Sequence, residues 1–396
     1  MIIHMKNLLH YIVKRTVQNM KQDRTIVSNH SYGLLDGDAG ILLFMLYYNQ
    51  LTHDSTYKKI TYNFAEKLLY NIAKNESKFS YCSGIAGELY LFDFLKYKRI
   101  IGIDIKPIQK HSEEFLLYKL ENCIQNNNYD LLHGAIGIVL YFLNKKAHKS
   151  TIIDFVDFIY NTAQKDFKNK IFKWESIIDY DKNYKVYNLS MAHGIASIIL
   201  FFSKLIQCGI ATEKIQQILI GAANYILSQK RDITQFGSIF PNYIPLDNNE
   251  KIHASKLAWC NGDIGIGYSL WKAGNTLRNI NLIQEGLKIL LQSASRKNKK
   301  SDTVKDTCIC HGTAGLSMMY KRIYINTLIS VFKSAESYWL TQTLNVCHKN
   351  QLTFFRAPNI WAEDYTLLSG TSGVGLVLLS NIYQHSQNWN ELFLMN

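Results

Sequence analysis

The chain has 396 residues, of which 47% are apolar and 19% charged, so it can bury a large core and is not intrinsically disordered. No stretch approaches the roughly 18 to 20 apolar residues of a membrane-spanning helix. The opening "MIIHMKNLLHYIVKR" lacks a signal-peptide core, so a cytoplasmic protein is expected. The net charge of +13 raises nucleic acid as a partner, but the lysines are dispersed and no nucleic-acid-binding motif occurs. An acidic peptide, a membrane surface or simple solubility fit that charge instead.

In chain order, one local pattern returns seven times. Gly37 and Gly40 stand in "YGLLDGDAGILLFML", Gly84 and Gly87 in "YCSGIAGELYLF", and Gly134 and Gly137 in "YDLLHGAIGIVLYFL". Gly194 follows in "LSMAHGIASIILFF", with Ser197 in place of the second glycine. Gly262 and Gly265, Gly312 and Gly315, and Gly370 and Gly373 complete the set, the first glycines being 47, 50, 60, 68, 50 and 58 residues apart. Each motif opens an apolar run, which reads as a buried helix. Between motifs lie "YKKITYNFAEKLLYNIAKN", "TEKIQQILIGAANYILSQK" and "INLIQEGLKILLQSA". Their apolar residues recur at spacings of three and four, which predicts helices with one wet face. Each unit is then an amphipathic helix, a glycine turn and a buried helix. Units of this kind must stack to bury their faces. The expected fold is all-α: a seven-fold α/α toroid, a double ring of inner and outer helices, forming one domain over residues 1–396. Its glycine turns are expected to gather at one end.

Two spacers are longer than the rest. Residues 165–190 alternate aromatic and β-branched with polar residues, which predicts a small insertion or strand pair. Residues 231–260 read as a long loop over the mouth of the barrel.

The seven cysteines are odd in number and the expected compartment is reducing, so metal or thiol chemistry outranks a disulfide framework. Cys260 stands just before the fifth glycine turn, and Cys310 and His311 just before the sixth. Turns that gather at one end bring these three together. Two thiolates and one imidazole make a zinc set with the fourth position open, the arrangement of a catalytic zinc. Cys308, two residues upstream, reads as a packing residue.

"WCNG" followed by "CHG", on seven glycine turns, resembles the lanthionine synthetase C-like cyclases of class I lantibiotic biosynthesis, over the whole chain. The resemblance implies an α/α toroid with a central zinc. It also implies addition of peptide cysteine thiols to dehydroalanine or dehydrobutyrine, closing thioether rings. It further implies that His193 of "MAHG" is the acid/base histidine and that Asp130 of "YDLLHG" acts in catalysis or orients it. Lys256 stands where the family often has arginine, Asn261 where it often has tyrosine, and Ser197 replaces a turn glycine. Lys256 keeps a charge able to stabilise an enolate oxygen. His133 reads as a spectator, and Asp36, Asp263 and Asp364 as helix caps. The partners implied are a dehydrated precursor peptide, the dehydratase and an ABC exporter at the inner membrane face. The alternative reading is a zinc- and glutathione-binding protein without cyclase activity. A thiol prenyltransferase, which uses Asp, Cys and His ligands, does not match.

Overall fold

The computed structural model describes residues 1–22, 31–74, 78–143, 145, 148–179, 181–247, 249–297, 304–349, 352–384 and 388–395. Asn75, Tyr180 and Asn248, which belong to stretches read above as a helix and two spacers, lie outside them. Among the described residues, seven helix pairs follow the seven motifs. The amphipathic members are Ile2–Met20, Lys58–Ala73, Lys106–Gln125, Lys149–Thr162, Glu213–Ser228, Ile280–Ser295 and Ser330–Lys349. The members that follow the glycines are Asp38–Thr52, Ile85–Tyr97, Ala135–Phe142, Ile195–Gln207, Asp263–Leu277, Thr313–Thr327 and Thr371–Ile382. Burial separates the two classes. Helix Asp38–Thr52 is buried continuously from Asp38 to Tyr48. Helix Ile280–Ser295 buries Leu282, Gly286, Ile289, Leu290, Ser293 and Ala294, one stripe at helical spacing.

The turns share one construction. In several of them the first amide of the buried helix reaches back seven residues to a loop carbonyl. Ile85 donates to Lys78 O at 2.7 Å, Ala135 to Asn128 O at 3.0 Å, Thr313 to Asp306 O at 3.0 Å and Thr371 to Asp364 O at 2.9 Å. That carbonyl lies against the turn glycine. A Cβ on Gly84 would sit 1.8 Å from Lys78 O, so the loop closes only over a bare Cα. Where the residue under the glycine is Asn or Asp, its side chain also accepts an amide two residues on. Asn128 takes Asp130, Asn188 takes Ser190, Asp306 takes Cys308 and Asp364 takes Thr366.

By contacts the chain divides into two compact units. The first comprises Met1–Glu121, Asp306–Met318 and Glu336–Asn396; the second comprises Asn122–Lys305 and Met319–Ala335. In the first, backbone bonds string four turns together. Cys310 donates to Leu368 O at 3.0 Å, Leu368 to Leu35 O at 2.7 Å and Leu35 to Cys82 O at 2.9 Å. In the second, the same position links the fourth turn to the fifth, Ala192 donating to Cys260 O at 3.2 Å. The residue two before each of these glycines is thus the joint between neighbouring turns.

Small strands decorate this helical frame. In the second unit β1 (Gln164–Asp166) pairs with β2 (Ile171–Lys173), while β3 (Ser176–Asp179), β4 (Tyr184–Asn188) and β5 (Tyr243–Pro245) form an antiparallel sheet. The buried Trp174 indole donates to Ile159 O at 2.8 Å and pins these strands to helix Lys149–Thr162. The 231–260 spacer therefore differs from a plain loop. It holds a short helix, Ile233–Phe236, and lends β5 to β4, satisfying that strand's second edge. In the first unit a further hairpin, β6 (Thr353–Ala357) and β7 (Ile360–Glu363), turns at Asn359, whose φ is 64°. Among the described residues no helix is long and apolar enough to cross a membrane.

Candidate active site

In the second unit the third and fourth turns bring Asp130 and His193 together. Asp130 Oδ1 accepts the amides of Leu132 and His133, both at 2.7 Å, which fixes the carboxylate within its own turn. Its Oδ2 lies 2.7 Å from His193 Nδ1. A carboxylate there accepts a hydrogen bond from Nδ1–H, so the neutral ring keeps its lone pair on Nε2. Ser190 Oγ holds the His193 amide at 3.1 Å, and the His133 ring stacks beside His193 with centroids 6.1 Å apart. His133 is therefore a neighbour of the pair, through its ring and through its amide.

Opposing effects set both pKa values. For His193, burial disfavours the cation, but the charge and hydrogen bond of Asp130, with a contribution from Cys260, raise it above the ordinary 6.5. For Asp130, burial favours the neutral acid, but His193's charge and hydrogen bond and the His133 amide hold it below the ordinary 3.8. The site thus favours an imidazolium–carboxylate pair.

The fifth turn lies alongside. Cys260 is partly exposed, and its carbonyl takes the amide of Ala192, the residue before His193. Gly262 differs from the other turn glycines. Its φ of 118° and ψ of −171° lie in a region essentially reserved for glycine, and a Cβ would meet Lys256 O at 1.9 Å. Asp263 does not cap its own helix in the expected way. It is fully buried and accepts the amides of Ile239 at 3.0 Å and Phe240 at 2.9 Å. Arg296, itself 8% exposed, donates to Asp263 at 2.7 Å and to Ser255 O at 3.2 Å. This buried ion pair clamps the segment that leads to Cys260. Asp36 and Asp364 also serve turns rather than caps. Asp36 takes the hydroxyls of Ser31 and Ser83, and Asp364 pairs with Arg356. Lys256 is exposed. The Asn261 amide donates to Asn242 and ties the turn to the 231–260 spacer. Ser197 is buried and returns its hydroxyl to Gly194 O at 2.6 Å, so serine is accommodated in place of glycine.

In the first unit Cys310 Sγ and a His311 ring nitrogen lie within 4.8 Å of one another, and both residues are partly exposed, as Cys260 is. A thiol and an imidazole on one sharp turn fit a borderline-soft divalent ion. Sequence reasoning passed over Asp306. It is 1% exposed, its Oδ2 lies 3.7 Å from His311 Nε2, and it accepts the amides of Cys308 and Phe355. The signal that could have found it is the recurrence of Asn or Asp six residues before a turn glycine. Cys308 is fully buried, its sulfur accepting the His311 amide at 3.4 Å.

Paired helices on glycine turns, with an Asp–His pair beside a cysteine, define an α/α-repeat protein. The chain belongs to the lanthionine synthetase C-like protein family, whose model matches residues 28–394. No curated protein matches it in sequence. Among solved structures it is similar to nisin cyclase, with a TM-score of 0.79 and 20% identity over 98% of each chain. That likeness shows the fold: a mainly helical α/α toroid with a few small strands, as the sequence predicts.

Proposed function

We propose that the protein is a zinc-dependent peptide cyclase. It adds cysteine thiols of a dehydrated precursor peptide to dehydroalanine or dehydrobutyrine, forming lanthionine and methyllanthionine rings. The observation that carries this reading is the Asp130–His193 pair on the turn bonded to Cys260. Cys260, Cys310 and His311 would hold the metal, Cys260 and Cys310 occupying the same position in successive turns. Zinc bound by two thiolates and an imidazole supplies an open position that lowers the pKa of a substrate thiol.

The protein's own groups manage the proton. As the sulfur–carbon bond forms at the β-carbon, the π bond opens and an enolate develops. The thiol's proton must reach the α-carbon. His193, oriented through Nδ1 by Asp130, presents Nε2 to carry it. Lys256 supplies positive charge for the enolate oxygen. The net basic surface suits an acidic peptide leader and transient contact with the dehydratase, the exporter and the inner face of the membrane of a cytoplasmic complex.

The test is elemental analysis of wild type beside Cys310→Ala, followed by cyclisation of a dehydrated peptide. About one zinc per chain, lost in the variant, with His193→Asn slowing cyclisation about a hundredfold or more, is the expected result. Zinc without cyclisation would favour the thiol-binding alternative. A metal-replete wild type without zinc refutes the mechanism.

A further inference from the structure

The structure assigns Asp306 as the positioning residue that sets which nitrogen of His311 faces the metal. This inference rests on the zinc reading above and extends it to a residue outside the proposed ligand set. An imidazole offers two nitrogens, and a ligand must present one without its proton. Asp306 Oδ2 stands 3.7 Å from Nε2, within ion-pair reach. A carboxylate there draws the ring proton to Nε2, and Nδ1 keeps the lone pair for the metal. With the ring held by a metal, the Nε2–H to Oδ2 contact shortens to a hydrogen bond and raises ligand basicity.

Asp306 is built to stay in place. Its Oδ1 accepts the Cys308 amide at 3.0 Å, its Oδ2 the Phe355 amide at 3.1 Å, and its own carbonyl the Thr313 amide at 3.0 Å. Phe355 lies on β6, so the hairpin braces the carboxylate from outside the turn. Asp306, Cys308 and His311 also bring donor atoms within 4.8 Å of one another, which makes them a rival ligand set. Two features set that rival aside. Both Asp306 oxygens are engaged with amides, and the Cys308 sulfur is fully buried against the His311 amide.

The experiment measures zinc affinity of the full chain by competition with a chromophoric chelator, in wild type, Asp306→Asn and Cys308→Ala. Asparagine still accepts the Cys308 amide but turns an N–H toward Nε2, which favours the wrong tautomer. Asp306→Asn is expected to weaken zinc about 10- to 100-fold with one zinc still bound at saturation. Cys308→Ala is expected to keep wild-type affinity. Unchanged affinity in a folded Asp306→Asn protein, or loss of zinc in Cys308→Ala, overturns the inference while the zinc reading stands. Imidazole nitrogen chemical shifts of the zinc-loaded wild type decide the matter even where the variant does not fold. Metal at Nδ1 is expected, and metal at Nε2 overturns the inference. A wild type that takes up no zinc removes the zinc reading and this inference with it.

Discussion

Replacing Gly262 with alanine places a Cβ 1.9 Å from Lys256 O, on a backbone with φ 118° and ψ −171°. The backbone strain costs about 1–3 kcal/mol. Relieving the clash moves a carbonyl rather than a flexible side chain, and costs a further ~1–3 kcal/mol. The sum is about 2–6 kcal/mol. For 396 residues, an unfolding entropy of about 2 cal/mol/K per residue converts 1 kcal/mol to about 1 °C. Gly262→Ala is therefore expected to melt about 2–7 °C lower by calorimetry. Two other glycines separate the contributions. Gly209 has φ 82° but nothing near its Cβ position, so Gly209→Ala carries strain alone, about 1 kcal/mol. Gly102 has an ordinary φ and open space, so Gly102→Ala is expected to be neutral or slightly stabilising. A Gly262→Ala protein that melts with Gly102→Ala would refute the reasoning.

The Asp130–His193 pair predicts a pH window. The raised His193 contributes stability that is complete below 6.5 and lost as pH climbs through its folded value. The lowered Asp130 contributes stability that is complete above 3.8 and lost as pH falls through its folded value. The melting difference between wild type and Asp130→Asn should peak between these limits, and equal differences at about pH 5 and about pH 9 would contradict the pairing. Asp263→Ala leaves Arg296 buried without its partner and is expected to cost about 3–5 kcal/mol in chemical denaturation. Asp263→Leu combined with Arg296→Met should cost less, and a double variant worse than the single would count against the clamp. Adding zinc at about 100 times its dissociation constant should raise stability by about 2.7 kcal/mol in wild type and not in Cys310→Ala, read by melting with and without chelator.

The repeat was legible because its signals are local. Glycine pairs and apolar runs lie within a dozen residues of each other, and burial of the helices follows from their composition alone. Cys260, Cys310, His311 and His193 stood out because each lies within two residues of such a glycine. Asp306 did not, since its role depends on Phe355, which β6 supplies from another part of the chain. The Asp263–Arg296 clamp spans one helix pair and leaves no periodic trace, and its effect on Ser255 and Phe240 exists only once the spacer has folded back. Hairpin β6–β7 turns at Pro358 and Asn359, but its short strands show no clean alternation and lie between two strong helical signals. Local chemistry named the turns, and chain-distant partners decided what braces them.

The bond from Leu368 to Leu35 joins the seventh turn to the first. During synthesis the first turn therefore waits for nearly the entire chain. At 5–20 residues per second that delay is on the order of tens of seconds. Until then the Leu35 carbonyl, on a residue fully buried in the finished protein, lacks the amide of Leu368. The ribosome thus releases a chain whose earliest repeat is its last to be completed, through a contact of high sequence separation that folding reaches late.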